Sequence, residues 1–320
     1  MNLNIHPCSP PLWARGGHKQ TLVAYGLPSE APDFTFKNIK IQLPDGDQLV
    51  GRYYEGTSST LLIFFHGLIG SVDSKYMGRM ATIGQQQGHS VLLMNHRGCG
   101  DGEGLARGPY HSGRGDDVSE VVAFCRKQFA KKQLITVGFS LSGNAVLSLL
   151  TGIRGEHLPD QAIVVNGPTD LKASSESLKQ GFNRLYDLWF VNGCRKEIRS
   201  RQEKNLISLK VKIPRWAYLH DVDELYTAPL GGFKNADDYY AQCSTASHLG
   251  KIKTPTFILM SKDDPFIPWQ PYLSARDSSY VHLHLEDTGG HMGYLAQGDR
   301  PFGYKRWMDN TLEQVIASMT

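Results

Sequence analysis

Long apolar runs are missing from this 320-residue chain. The densest, Leu61 to Phe65, is five residues, whereas a bilayer-spanning helix needs about 20, so no integral membrane segment is expected. Cysteine is scarce and odd in number: Cys8, Cys99, Cys125, Cys194 and Cys243 show no C-x-x-C spacing. That excludes a disulfide framework and a structural zinc site, and fits reduced thiols. An excess of one charge is missing too. With 34 basic and 31 acidic residues the net charge is +3, too balanced to demand an anionic polymer, so no nucleic-acid partner is expected. No two histidines stand at a metal-ligand spacing such as H-x-x-x-H, so neither metal nor other cofactor is expected. The start, MNLNIHPCSPPLWARGG, has no basic stretch leading into an apolar one. It does not read as a secretory signal, and a cytoplasmic location is the expectation.

The residues present can build a core. Hydrophobic residues make up 40% and charged ones 20%, which excludes wholesale disorder. Pro7, Pro10, Pro11, Pro28 and Pro32 suggest that the first thirty-odd residues form an extended arm. Phe36 to Leu43 and Gln48 to Glu55 flank Pro44-Asp45-Gly46-Asp47, which reads as a hairpin. Four apolar runs follow, Leu61 to Phe65, Ser90 to Asn95, Leu134 to Val137 and Ala162 to Val165, and two more come late, Thr256 to Met260 and Val281 to Leu285. Helical patterns lie between them, for example Val118, Val121, Val122, Cys125 and Phe129, and a closing helix is expected near Tyr304 to Met319. Continuous apolar strands alternating with helices predict an α/β fold: a mostly parallel central sheet with helices on both faces. Residues 168–250 interrupt the alternation. Phe182, Leu185, Tyr186, Trp189 and Phe190 form a helical stripe that Asn192-Gly193 is expected to break. This mainly helical insertion is placed as a cap within a single domain, 1–320.

The most informative stretch runs from Leu134 to Leu150. An apolar strand enters Gly138-Phe139-Ser140-Leu141-Ser142-Gly143 and an apolar helix starts at once. Such a strand–turn–helix lifts the serine hydroxyl above the sheet, at a helix N-terminus that favours developing negative charge. Ser142 stands where the G-x-S-x-G pattern wants glycine. A nucleophilic serine needs a base, and the base a carboxylate, in the chain order Ser, Asp or Glu, His. Asp263 and Asp264 follow the strand ending at Met260, and His291 lies in a glycine-rich loop after the strand ending near Glu286. Asp264, four residues before Pro268, is taken as the acid, with Asp263 as the alternative. His66-Gly67-Leu68 directly follows another strand, so the amides of Leu68 and Leu141 are the expected oxyanion donors.

These motifs resemble the α/β-hydrolases of the YheT-like branch, a group of esterases related to eukaryotic ABHD-type lipases. The resemblance covers nearly the whole chain. It is carried by Arg15-Gly-Gly-His-Lys-Gln-Thr21, His66-Gly-Leu-Ile-Gly70, Asn95-His-Arg-Gly-Cys-Gly100, Tyr110-His-Ser-Gly113, Gly138-Phe-Ser-Leu-Ser-Gly-Asn144, Asp238-Tyr-Tyr240, Lys262-Asp-Asp-Pro-Phe266 and Gly289-Gly-His-Met-Gly293. It implies the α/β-hydrolase fold, a Ser140–Asp264–His291 triad and carboxylic-ester hydrolysis through an acyl-enzyme.

Beside that centre, His66, Gly67 and Phe139 are expected to contact substrate, a small ester with an apolar acyl chain. Arg97 is read as a loop brace and Ser112 as a helix N-cap. The basic stretch from Arg195 to Arg215 is read as a solvated cap face, with peripheral lipid contact as the sharper alternative. Two rival functions share the motifs: an acyltransferase passing the same acyl group to an alcohol, and a binding protein left idle by a turn that Ser142 misaligns.

Overall fold

A computed structural model describes residues 3–30 and 32–320; Met1, Asn2 and Ala31 lie outside the described residues, and with them the first two positions of the N-terminal reading. The Asp-Gly turn closes a hairpin of β1 (Lys37–Gln42) and β2 (Gln48–Tyr54). β3 (Thr60–Phe65), β4 (Ser90–Met94), β5 (Gln133–Phe139), β6 (Gln161–Val165), β7 (Thr256–Ser261) and β8 (Val281–Glu286) complete one sheet in the order β1-β2-β4-β3-β5-β6-β7-β8. All pairings are parallel except β1–β2 and β2–β4.

Side chains alternate across a strand, and β3 shows that both faces are covered. Leu61, Ile63 and Phe65 enter one core cluster with Val118, Val121, Val122 and Cys125 of α3 (Gly115–Gln128) and with α4 (Leu141–Leu150). Leu62 and Phe64 enter the other, with Met77 and Met80 of a helix over Lys75–Gln86 (α2) and Leu312, Val315 and Ile316 of the last helix, Trp307–Met319 (α10). Between β6 and β7 lie α5 (Leu171–Leu178), α6 (Arg184–Glu203), α7 (Leu219–Val222), a π-helical turn at Asp223–Thr227, α8 (Ala228–Gly231) and α9 (Ala236–Cys243).

Four local expectations differ from the structure. The N-terminal arm is not extended throughout: a ten-residue helix, α1 (Gly17–Gly26), occupies the proline-free stretch. It is anchored by the buried Gln20, whose amide nitrogen donates to the Ala14 and Leu295 carbonyls and whose oxygen accepts from Leu295 N–H. α6 does not stop at Asn192-Gly193. A Cβ on Gly193 would lie 2.5 Å from Ile69 Cγ2, so this glycine marks a close approach of the helix to the loop after β3 rather than a turn. Ser112 is no N-cap, because α3 starts after Arg114. Finally, Leu295–Arg300 (β9) and Tyr304–Arg306 (β10) form a small hairpin ahead of α10, in a stretch too polar to stand out as strand.

Arg97, in the loop after β4, ties three elements together. Its guanidinium grips Asp117 of α3 with two hydrogen bonds (2.8 and 2.7 Å) and reaches Asp47 (2.6 Å) and Asp45 (2.5 Å) at the hairpin turn. Arg97 and Asp117 are each 4% exposed and Asp47 8%. Removing one partner of such a buried pair strands the opposite charges, at about 3–5 kcal/mol. Arg97→Ala is therefore expected to lower unfolding free energy by about that amount in a urea titration; a loss under about 1 kcal/mol would contradict this account.

Candidate active site

The turn from β5 into α4 forces Ser140 to φ 51° and ψ −122°, a backbone state costly for any residue with a Cβ. Gly138 and Gly143 are glycines this turn cannot replace, because a Cβ would meet Ser142 O at 2.5 Å at the first and Gly167 Cα at 2.9 Å at the second. Ser142 does not disturb the turn. Its buried hydroxyl donates to the His66 carbonyl and sits 2.6 Å from His96 Nε2, linking the turn to the loop after β3. The His96 N–H donates to His66 Nε2 at 3.2 Å. Burial pushes the pKa of His66 down to about 3, reinforced by the neighbouring His96. Burial likewise pushes His96 down to about 4.

His291 Nε2 lies 2.9 Å from Ser140 Oγ, and its Nδ1 lies 2.8 Å from Asp264 Oδ2. Besides the ring, the Asp264 carboxyl accepts from Asn166 Nδ2 (2.7 Å) and from the amides of Phe266 (3.1 Å) and Ile267 (3.0 Å). Asp263 serves the histidine loop instead, accepting the Gly290 N–H at 2.8 Å. Burial raises its pKa. Asn166, Tyr294 and Thr21 were not singled out as site residues. Tyr294 donates to Asn166 Oδ1 (2.7 Å), orienting the amide that reaches Asp264, and Thr21 Oγ1 accepts the His291 N–H (2.8 Å). Thr21 ends the motif that begins at Arg15, and Asn166-Gly167 follows β6; both are readable as strings, but the partners Asp264 and His291 lie 98 and 270 residues away.

Two tyrosines select the free amide of the loop after β3. The Gly67 N–H donates to Tyr76 Oη and the Ile69 N–H to Tyr110 Oη, both at 2.8 Å. The Leu68 N–H between them meets no acceptor among the described residues. The Leu141 N–H opens α4, a position without an intrahelical acceptor. Leu68, Leu141 and Ser140 line a narrow cavity of about 100 Å³, whose far wall comes from the 168–250 insertion: Leu171, Leu178, Phe190, Leu219, Val222 and Tyr226. Asp223 also faces it, with its pKa raised to about 6 by burial while Tyr240 Oη donates to it at 2.7 Å.

Two expected substrate contacts are corrected. Phe139 points to the opposite side of the sheet, fully buried against Tyr76 and Phe64, because it precedes Ser140 on a strand whose side chains alternate. His66 is fully buried in the network under the loop and does not line the cavity. Gly67 does pack against the serine, since a Cβ there would lie 3.1 Å from Ser140 Cβ.

Residues 60–213 match the family described as alpha/beta hydrolase fold. The chain is 31% identical over 266 residues to "Putative esterase YheT" of Escherichia coli (strain K12), covering 80% of this chain and 78% of that one. The chain belongs to the α/β-hydrolase family, in its YheT-like branch. It is also 23% identical over 323 residues to human "Phospholipase ABHD3", covering 97% of this chain and 78% of the relative. Among solved structures, the esterase Pf2001 of Pyrococcus furiosus superposes with a TM-score of 0.57 at 15% identity, over 91% of this chain and 95% of the other. Mouse alpha/beta hydrolase domain-containing protein 10 superposes at 0.54 with 16% identity, over 89% of this chain and 100% of the other. These likenesses show the fold. No helix among the described residues is long and apolar enough to cross a membrane.

The buried histidines give this hydrolase fold an acid limit. Below their ordinary pKa of 6.5 the unfolded chain binds protons that folded His66 and His96 refuse, so stability falls with falling pH. His111, pushed well below its ordinary value by burial, adds to this; Asp223, lifted from 3.8 to about 6, and Asp187, Glu197 and Asp263, also raised by burial, oppose it. Urea midpoints are expected to drop between about pH 6.5 and pH 4.5; a flat or rising midpoint would show that the raised carboxyls outweigh the buried histidines and would contradict the acid limit.

Proposed function

We propose that the protein is a serine carboxylesterase, and the observation that carries this reading is the unbroken hydrogen-bonded chain from Ser140 Oγ through His291 to Asp264. Ser140 Oγ attacks the ester carbonyl while His291 Nε2 takes the hydroxyl proton. Asp264 holds the ring with Nδ1–H towards itself and stabilises the imidazolium. The amides of Leu68 and Leu141 receive the oxyanion. Collapse of the tetrahedral intermediate breaks the C–O bond, and the leaving alcohol takes its proton from His291. Water then attacks the acyl-enzyme, giving its proton to His291, and the carboxylic acid and free Ser140 are released. The insertion 168–250 acts as the cap that shapes the acyl site. The idle-site alternative rested on Ser142 displacing the turn, and the 2.9 Å separation of Ser140 and His291 speaks against it.

A fluorophosphonate probe is expected to label the wild type and to leave Ser140→Ala unlabelled. His291→Ala and Asp264→Asn should each lower kcat by about 10⁴-fold, with thermal unfolding showing that both remain folded. A folded wild type that resists the probe would refute the assignment.

The cavity sets the acyl length. Its wall of Leu68, Leu171, Leu178, Phe190, Leu219 and Val222 is apolar and its room is limited. Across p-nitrophenyl esters from acetate to palmitate, kcat/KM is expected to peak at short-to-medium chains and to fall beyond them. A palmitate optimum would mean that the acyl chain runs elsewhere.

A further inference from the structure

The stripe on α6 is divided between two surroundings. Tyr186 and Phe190 face inward and are buried, whereas Leu185 and Trp189 face outward and are 56% and 46% exposed. They are not alone. Leu22 and Tyr25 of α1 are 47% and 66% exposed, and Trp216 and Tyr218 after α6 are 72% and 37% exposed. Contacts join these residues into one surface. The Tyr25 and Trp189 rings are 5.6 Å apart, and the His18 and Phe182 rings 4.7 Å. The Arg184 guanidinium donates to the Trp216 and Ala217 carbonyls and lies 3.9 Å from the centre of the Tyr218 ring. An apolar surface of this extent marks an interaction site.

Its surroundings are basic. Between residues 184 and 218 the chain carries nine Lys and Arg against three Asp and Glu. With the pairs Arg184–Asp187 and Arg201–Glu197 set aside, seven Lys and Arg remain against Glu203. Lys196, Arg199, Lys212 and Arg215 are exposed in this stretch, as are Lys19 on α1 and Arg15 just before it. We propose that this face docks on an anionic phospholipid membrane, with Leu185, Trp189, Trp216 and Tyr25 entering the headgroup layer and the basic residues pairing with lipid phosphates. Tryptophan and tyrosine suit that depth, with an apolar ring and a polar edge, and each nearby cation adds attraction to anionic lipid. A second copy of this chain fits worse, because an isologous contact would press two basic rims together.

The position of the patch gives the docking a purpose, and here the inference rests on the esterase reading. α1 carries Thr21, which holds the His291 loop, and the inner face of α6 carries Phe190, which lines the cavity. A docked enzyme would meet an amphiphilic ester whose short acyl end enters the cavity while its larger apolar portion stays in the bilayer.

The test uses the full chain as Ser140→Ala, so that nothing is hydrolysed, in sedimentation with phosphatidylcholine vesicles with and without about one-third phosphatidylglycerol. Binding to the anionic vesicles is expected to exceed binding to the neutral ones about tenfold, to shift tryptophan emission to the blue and to weaken in high salt. Tyr25→Ser with Trp216→Ser, and separately Lys212→Glu with Arg215→Glu, should each cut binding about tenfold. With Ser140 restored, the same pairs should hydrolyse soluble p-nitrophenyl acetate at the wild-type rate. Absent or lipid-indifferent binding, or variants that bind like their parent, would overturn the docking surface. So would a solution dimer dissolved by Trp216→Ser without vesicle binding. Failed fluorophosphonate labelling with intact vesicle binding sinks the esterase reading alone; the reverse result sinks the docking surface alone.

Discussion

The backbone of Ser140 is the constraint around which the rest is arranged. A serine at positive φ costs on the order of 1–3 kcal/mol and persists only where its surroundings leave no alternative. Here they leave none. β5 lies in the sheet between β3 and β6, the Ser140 N–H donates to the Val165 carbonyl at 2.8 Å, and every residue of α4 is buried. Relaxing the turn would move a packed helix or break a central strand. The strain is therefore held by the whole sheet, and the hydroxyl stays where His291 meets it.

What the sequence made legible follows from how local each signal is. The central strands were plain because burial on both faces leaves continuous apolar runs, and Ser140 was plain because strand, turn and helix are contiguous. Asp264 and His291 followed from chain order at successive strand ends, and the structure brings both to Ser140. Ser142 shows the limit of pattern matching. Its hydroxyl meets His66 and His96, partners that no reading of residues 138–143 could supply, so a departure from the motif becomes a cross-link. Gly193 fails in the opposite direction: the Asn-Gly pair is a sound turn signal, overridden by the tertiary approach of Ile69. The arm misled for a related reason, since α1 depends on a buried glutamine bound to Leu295 at the far end of the chain.

The electrostatics of the site divide the same way. Short-range rules placed a carboxylate beside a histidine, but the neutrality of His66 and His96 is a property of burial. The two rings brace the loop after β3, the His96 N–H donating to His66 Nε2 (3.2 Å) and His96 Nε2 lying 3.0 Å from the His66 carbonyl, without adding charge there. A protonated imidazole there would bring its own desolvation cost into the core, whereas a neutral pair fixes the loop by hydrogen bonds alone.

α6 carries the argument from site to surface. Its C-terminal half is bound to the core through Arg201, whose buried guanidinium meets Glu197 (2.9 Å) and the carbonyls of Arg97 (2.8 Å), Ala106 (3.2 Å), Arg107 (3.1 Å) and Gly108 (2.9 Å). Lifting that half would strand a buried cation and four carbonyls, so this end of the helix cannot swing as a lid without large loss. Its N-terminal half is held by the buried Asp187, which pairs with Arg184 and accepts the Leu219 N–H (2.8 Å), by His18 Nδ1 against Tyr186 Oη (3.1 Å), and by ring contacts among Tyr186, Phe190 and Phe266. One helix therefore combines an inner face, anchored along its length and lining the cavity through Phe190, Cys194 and Glu197, with an outer face that carries the aromatic patch.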